Sequence, residues 1–219
     1  MEDLEMEPNQ LKEALRRFGE IMEVETGKPL TLVIGGGAGL VLTEQIMVGT
    51  FDVDVLAVVE GGKLKKPSWD EAFETARKVI AEEMGLRSDW INAGPAGLVE
   101  KVPKNFKERL LNQATRIQFG DRVTILAISR LDQIYFKTYA ALNKEPGMPK
   151  QGKHVMDLYE LSATVEEILA GVRWACENFD DFPPKNEVLQ RRLIQLGREL
   201  DFYPPDQIYE NINSKRKPE

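Results

Sequence analysis

Asp52 and Asp54, separated by a single valine, are the residues whose type and spacing most directly permit chemistry. The stretch Thr50 to Val59 reads as a strand, where residues i and i+2 project to one face about 7 Å apart at their Cα atoms. Both carboxylates then point together while Val53 and Val55 face the core. Two aligned carboxylates suit Mg²⁺ or Mn²⁺, hard ions that take oxygen ligands and can also hold a nucleotide's phosphates. Unpaired acids among apolar strand neighbours are expensive, which favours a functional origin over chance.

A second feature lies just upstream. The apolar run Leu30–Ile34 reads as a short buried strand and passes directly into Gly35-Gly36-Gly37-Ala38-Gly39, with a helix expected over Leu40–Met47. A glycine turn ahead of a helix exposes backbone N–H groups that can cradle phosphate. The same turn can instead mark a tight left-handed turn or close helix packing. A dinucleotide-binding turn fits poorly, because the Gly-x-Gly-x-x-Gly/Ala pattern ends on Leu40 in one frame and on Leu42 in the other. Such a site also wants its ribose-binding acid at the far end of the second strand, where Glu60 stands without the glycine pattern to support it.

Composition narrows the chemistry. The 219 residues hold one histidine, His154, and one cysteine, Cys176, too few for a disulfide framework or a Cys/His zinc site. Catalysis must then rest on carboxylates, lysines, hydroxyls and backbone amides. His154 is expected at the surface or a helix start and Cys176 as a buried small hydrophobe. No apolar run approaches the ~20 residues that span a bilayer, and the acidic opening Met1–Glu5 is unlike a signal peptide, so a cytoplasmic location without membrane contact is expected. The net charge of −7 argues against general DNA binding. The basic runs Lys63–Lys66, Lys101–Arg109 and Lys215–Lys217 read as solvated loops.

The elements that must position the aspartates follow from periodicity. An amphipathic helix is expected over Asn9–Glu25, carrying Leu11, Leu15, Phe18, Ile21 and Met22. Ser68 and Glu71 match a capping box for a helix that buries Phe73, Ala76, Ile80 and Met84 and ends at Gly85. Residues 86 to 110 show no sustained period and read mostly as loop. Thr115–Phe119 and Arg122–Ile128 flank Gly120-Asp121 as a hairpin. Ser129 and Asp132 look like the start of a helix whose face is Leu131, Ile134, Tyr135, Thr138 and Leu142, with Lys137 at its margin as a surface residue. A loop with Pro146, Gly147, Pro149 and Gly152 leads to a helix beginning near Lys153, where Asp157 would favour the first turn. The rest, through Pro183-Pro184 and the loop at Tyr203-Pro204-Pro205, is helical. The expected fold is α/β (α+β): a small mixed sheet with flanking helices over residues 1–128, and a helical part over 129–219 packed on it.

Gly35-Gly36 followed by a small residue, Leu40, Thr50 and Asp52-Val53-Asp54 resembles the Gly-Gly…Thr-x-Asp-x-Asp signature of the DNA polymerase beta-like nucleotidyltransferase superfamily. Within it, the chain is similar to the bacterial branch of uncharacterised nucleotidyltransferases related to abortive-infection toxins. Trp90-Ile91-Asn92-Ala93 resembles that branch's Trp-Leu-Asn segment, Leu131–Ala141 its Leu-x-x-x-Lys-x-x-Ala helix, and Lys153–Leu158 its Arg-Asp-x-x-Asp-Leu segment. The likeness runs over residues 30 to 161. It implies that Asp52 and Asp54 bind Mg²⁺ or Mn²⁺ and that Gly35, Gly36 and Gly37, with Thr50, hold the triphosphate. Lys137 would neutralise a phosphate, and Asp157 would complete the acid set or act as base. The implied reaction moves a nucleoside monophosphate from an NTP to an acceptor hydroxyl on a protein, an RNA end or a small molecule.

The chain departs from the branch at three places. Val48 stands where an arginine is usual, Lys153-His154-Val155-Met156-Asp157 has lost the first acid of its segment, and the later strands carry no third acid. An arginine's bidentate anion contact has no equivalent in valine. The alternative is therefore a catalytically degenerate protein that binds a nucleotide or a protein partner, as one component of a toxin–antitoxin pair.

Overall fold

A computed structural model of the chain describes residues 5–47, 49–143, 149–180, 182 and 186–200. Val48, Pro146, Gly147, Pro183-Pro184, Tyr203-Pro204-Pro205 and Lys215-Arg216-Lys217 lie outside the described residues. The chain divides into two compact units, Met1–Ser129 and Arg130–Glu219. It is a mixed α/β protein, with a six-stranded mixed sheet and flanking helices among the described residues.

Unit 1 opens with helix α1 (Pro8–Thr26), which buries Leu11, Ala14, Leu15, Phe18, Gly19 and Met22 along one face. Ile21 is half-buried at the margin of that face. Complete burial of one such leucine or phenylalanine stabilises by about 1.5–3 kcal/mol. The helix packs on α3 (Glu71–Met84), where the Phe18 ring meets Phe73 edge-on with centroids 5.0 Å apart. The capping of α3 corrects the expectation from Ser68: the N-cap is Asp70, whose carboxylate accepts the Phe73 N–H at 2.9 Å. Phe73, Ala76 and Ile80 are buried as expected, Met84 is half-buried, and the helix ends at Gly85.

The sheet is built around β1 (Leu30–Gly35), which pairs antiparallel with β2 (Val53–Glu60) and parallel with β6 (Val123–Ala127). The outer edge of β2 is shared: β3 (Lys63–Lys65) pairs with its C-terminal end and β4 (Ile91–Asn92) with its N-terminal end. On the far side, β5 (Thr115–Phe119) joins β6 through the turn at Gly120-Asp121, forming the expected hairpin.

Three expectations for unit 1 are corrected. Helix α2 spans Gly36–Leu42, so it begins among the glycines and not at Leu40. Glycine is a poor helix former, but here Leu40, Val41 and Leu42 are buried and tertiary packing overrides propensity. β2 starts at Val53, because Thr50 is drawn into a separate bridge with Met6. Residues 86–110 are not mostly loop: they contain β4, α4 (Ala96–Lys101) and α5 (Lys104–Asn112). Pro95 and Pro103 stand at the N-caps of the two short helices, where the missing N–H leaves no intrahelical bond unmade.

Unit 2 is helical in its described residues. Helix α6 (Arg130–Leu142) contacts α7 (Pro149–Glu160), α8 (Val165–Asn178) and α9 (Asn186–Glu199). Its burial is wider than one stripe, taking in Asp132, Gln133, Phe136 and Lys137 besides Ile134, Thr138 and Leu142, while Leu131 and Tyr135 are half-buried. Gly171 lets α8 approach α6 closely, since a Cβ there would lie 3.1 Å from Thr138 Cβ. Phe136 and Phe179 each meet Trp174 edge-on, at 5.2 and 5.3 Å. Helix α7 begins at Pro149, ahead of the expected start at Lys153, so Asp157 falls in its last turn. Cys176 and His154 are both half-buried, the first less covered than expected and the second more.

Candidate functional site

The site in unit 1 forms where β1 ends, α2 begins and β2 starts. Antiparallel pairing sets Gly35 opposite Asp54. Gly36 follows with φ +66°, a backbone conformation that only glycine adopts at little cost. A Cβ on Gly36 would lie 3.2 Å from both Cβ and Cγ of Asp54, so the glycine backbone is seated directly against that carboxylate. A Cβ on Gly37 would lie 2.7 Å from Thr50 Oγ1 and 3.2 Å from Thr50 Cβ. The turn glycines and the Thr50–Asp54 segment thus occupy the same place.

Thr50 is fixed there by its own bonds. It exchanges backbone hydrogen bonds with Met6, Met6 N–H to Thr50 O at 2.7 Å and Thr50 N–H to Met6 O at 3.0 Å. Its buried hydroxyl donates to the Asp52 carbonyl at 3.0 Å, setting the chain just ahead of β2. Val53 then donates to Trp90 O at 2.6 Å, and the Trp90 indole N–H donates to Arg77 O at 3.0 Å. Burial alternates along the segment: Val53 and Val55 are buried, Asp52 and Asp54 half-buried. That alternation is the expected division between core and site, although Asp52 sits one residue before the strand.

Asn92 is a site residue that sequence reasoning passed over. It is the parallel-strand partner of Asp54 and directs its Nδ2 to Asp54 Oδ1 at 3.5 Å. Its signal in the sequence was its place in Trp90-Ile91-Asn92-Ala93, with no role attached.

Lys137 and Asp157 belong to unit 2 and are brought together there. The Lys137 ammonium and the Asp157 carboxylate form a buried ion pair, each side chain only 8% exposed. This corrects two expectations at once: Lys137 is not a surface residue, and Asp157 does not sit at a helix start. Nearby on α7, burial raises the Glu160 carboxyl above its ordinary value, with the Asp157 charge adding to the effect. Glu167 is held below the ordinary range by its hydrogen bond to the Arg130 guanidinium, which also donates to Leu161 O at 2.6 Å.

Asp52 and Asp54 are the residues of this segment whose carboxylates could hold a hard divalent ion. Mg²⁺ is commonly bound through one or two carboxylates, with phosphate oxygens and waters filling the remaining positions. Among the described residues no group of three or more His, Cys, Asp or Glu side chains is arranged to hold a metal ion. Two open grooves in unit 1 lie away from the aspartates, about 520 Å³ along α3 beside Arg77 and Leu86 and about 460 Å³ beside Lys12 and Phe119. Among the described residues no helix is long and apolar enough to cross a membrane. Comparison of the chain with models of known families, with curated proteins and with solved structures returns no match.

Proposed function

We propose that the chain is a metal-dependent nucleotidyltransferase that moves a nucleoside monophosphate from an NTP to an acceptor hydroxyl. The observation that carries this reading is the seating of Asp54 against Gly36, with Thr50 against Gly37: the carboxylate strand and the glycine turn share one site. Asp52 and Asp54 hold Mg²⁺ or Mn²⁺, and the glycine turn, whose Gly36 lies against Asp54, is where the triphosphate binds. When bound, the ion supplies charge neutralisation along the triphosphate and at the attacked phosphorus. The acceptor hydroxyl gives up its proton to solvent, its oxygen forms a bond to the α-phosphorus, the bond from that phosphorus to the α–β bridging oxygen breaks, and pyrophosphate leaves. Thr50 fixes the backbone at Asp52 through its bond to the Asp52 carbonyl. The acceptor is a protein, an RNA end or a small molecule, and the setting is cytoplasmic.

The test is transfer of label from α-labelled NTPs to protein, RNA or small-molecule acceptors with Mg²⁺ or Mn²⁺. Transfer lost in Asp52→Ala and in Asp54→Ala supports the enzyme. Transfer that persists in either variant refutes it.

A second reading is favoured by one specific observation. Lys137 and Asp157 neutralise each other in a buried pair, so the lysine's charge is matched by the aspartate and not by a phosphate. On this reading the protein binds a metal–nucleotide complex, or a partner within a toxin–antitoxin pair, without turnover. Nucleotide binding that depends on Asp54 but yields no transfer to any acceptor is its expected signature.

A further inference from the structure

We infer that Asn92 is a positioning residue for Asp54, an inference that rests on the metal-site reading of that carboxylate. A carboxamide has two ends of opposite character, an oxygen that only accepts and a nitrogen that only donates. The Gly94 N–H donates to Asn92 Oδ1 at 2.8 Å. That bond fixes which way the amide is turned and leaves Nδ2 directed at Asp54 Oδ1, 3.5 Å away. The other carboxylate oxygen, Oδ2, faces the backbone of Gly36. The Asp54 carboxylate is therefore held between an amide on one side and a glycine on the other.

The support for Asn92 is itself anchored. Trp90 is fully buried, its carbonyl accepts the Val53 N–H at 2.6 Å and its indole N–H donates to Arg77 O. Ile91, also fully buried, pairs with Val53 as Asn92 pairs with Asp54. β4 has only these two residues, and their pairing delivers one amide to one carboxylate. Groups that hydrogen-bond a metal-ligating side chain orient it and tune its affinity for the ion. With Asp54 oriented by an uncharged donor, the site keeps two acids and leaves the remaining ligand positions to phosphate.

Mn²⁺ titration of the full chain, followed by the electron paramagnetic resonance signal of the free ion, tests this. The proteins are the wild type, Asn92→Ala, Asn92→Asp and Asp54→Ala. Asn92→Asp keeps an oxygen for the Gly94 N–H and nearly the same shape, but replaces the donor beside Asp54 with a third carboxylate. The expected result is Mn²⁺ binding about tenfold weaker in Asn92→Ala, and tighter than wild type in Asn92→Asp. Wild-type binding in Asn92→Asp overturns the inference even if Asn92→Ala fails to fold. Wild-type binding that is lost in Asp54→Ala yet unchanged in both Asn92 variants overturns the inference alone. Absence of binding in the wild type removes the metal-site reading and the inference with it.

Discussion

Gly36, at φ +66°, carries its backbone against the Asp54 carboxylate, and a Cβ at that position would lie 3.2 Å from Asp54 Cγ. Gly36→Ala therefore meets two penalties together. The left-handed conformation costs a residue with a Cβ about 1–2 kcal/mol, and the methyl group must push the carboxylate aside. The expected result is a lower melting temperature together with a loss of Mn²⁺ binding. Gly97→Ala is the control: an added Cβ there meets nothing within 4 Å, and both properties should stay at wild-type values.

Thr50 connects the glycine turn to Asp52 through its hydroxyl. Thr50→Val keeps the shape that packs on Gly37 but removes the 3.0 Å bond to the Asp52 carbonyl. The expected cost is about 1 kcal/mol, read by urea denaturation, with weaker Mn²⁺ binding. A variant of unchanged stability and unchanged metal affinity would remove Thr50 from the account.

Much of unit 1 was legible because its signals are local. Leu30–Ile34 is an apolar run bounded by Lys28-Pro29 and the glycines, and Gly120-Asp121 marks a hairpin by its turn chemistry. Residues 86–110 were not legible: α4 and α5, with Pro95 and Pro103 at their N-caps, are each too short to show a period. The early start of α2 was illegible for a related reason. The gain from close packing of Gly37 on Thr50 and from burial of Leu40–Leu42 is tertiary, and no local pattern reports it.

The alternation that buries Val53 and Val55 and leaves Asp52 and Asp54 half-buried was legible from strand periodicity, and the contacts made by neighbouring elements were not. Asn92 lies 38 residues beyond Asp54 and meets it only through a two-residue strand. Lys137 looked like a surface lysine because its partner, Asp157, lies 20 residues away on the next helix. A charge buried by a distant counter-charge leaves no trace in the periodicity of its own helix.

That buried pair makes its own prediction for unit 2. Removing one partner leaves an uncompensated charge at a site where each side chain is 8% exposed. Lys137→Met and Asp157→Leu should each destabilise by about 3–5 kcal/mol. The double variant should recover most of that loss, because replacing both members of a buried pair by apolar groups is often neutral or better. Urea denaturation of the four proteins decides; single variants within about 1 kcal/mol of wild type would contradict the pairing.

Two glutamates of unit 2 impose opposite pH dependences. Burial raises the folded-state value of Glu160 above its ordinary 4.5, so its contribution is fully present below 4.5 and is lost as pH rises through the raised value. Arg130 lowers that of Glu167, so its contribution is present above 4.5 and is lost as pH falls through the lowered value. Glu160→Gln should raise the melting temperature at neutral pH and leave it near wild type in acid. Arg130→Gln should lower it at neutral pH and flatten the acid limb. Melting curves between pH 3 and pH 8 (roughly the range carboxylates titrate over) check both, and a Glu160→Gln protein less stable than wild type at neutral pH would contradict the assigned cause.

The central claim, that Asp52 and Asp54 together hold a divalent ion for a nucleotide, is tested most directly by anomalous diffraction. Crystals of the full chain would be soaked with Mn²⁺ and a non-hydrolysable NTP, with data collected at the manganese edge. The account predicts an anomalous peak about 2.1 Å from a carboxylate oxygen of each aspartate, with the phosphates beside Gly35, Gly36 and Gly37. A crystal with no manganese peak there, or with an ion that leaves either Asp52 or Asp54 unliganded, would contradict it.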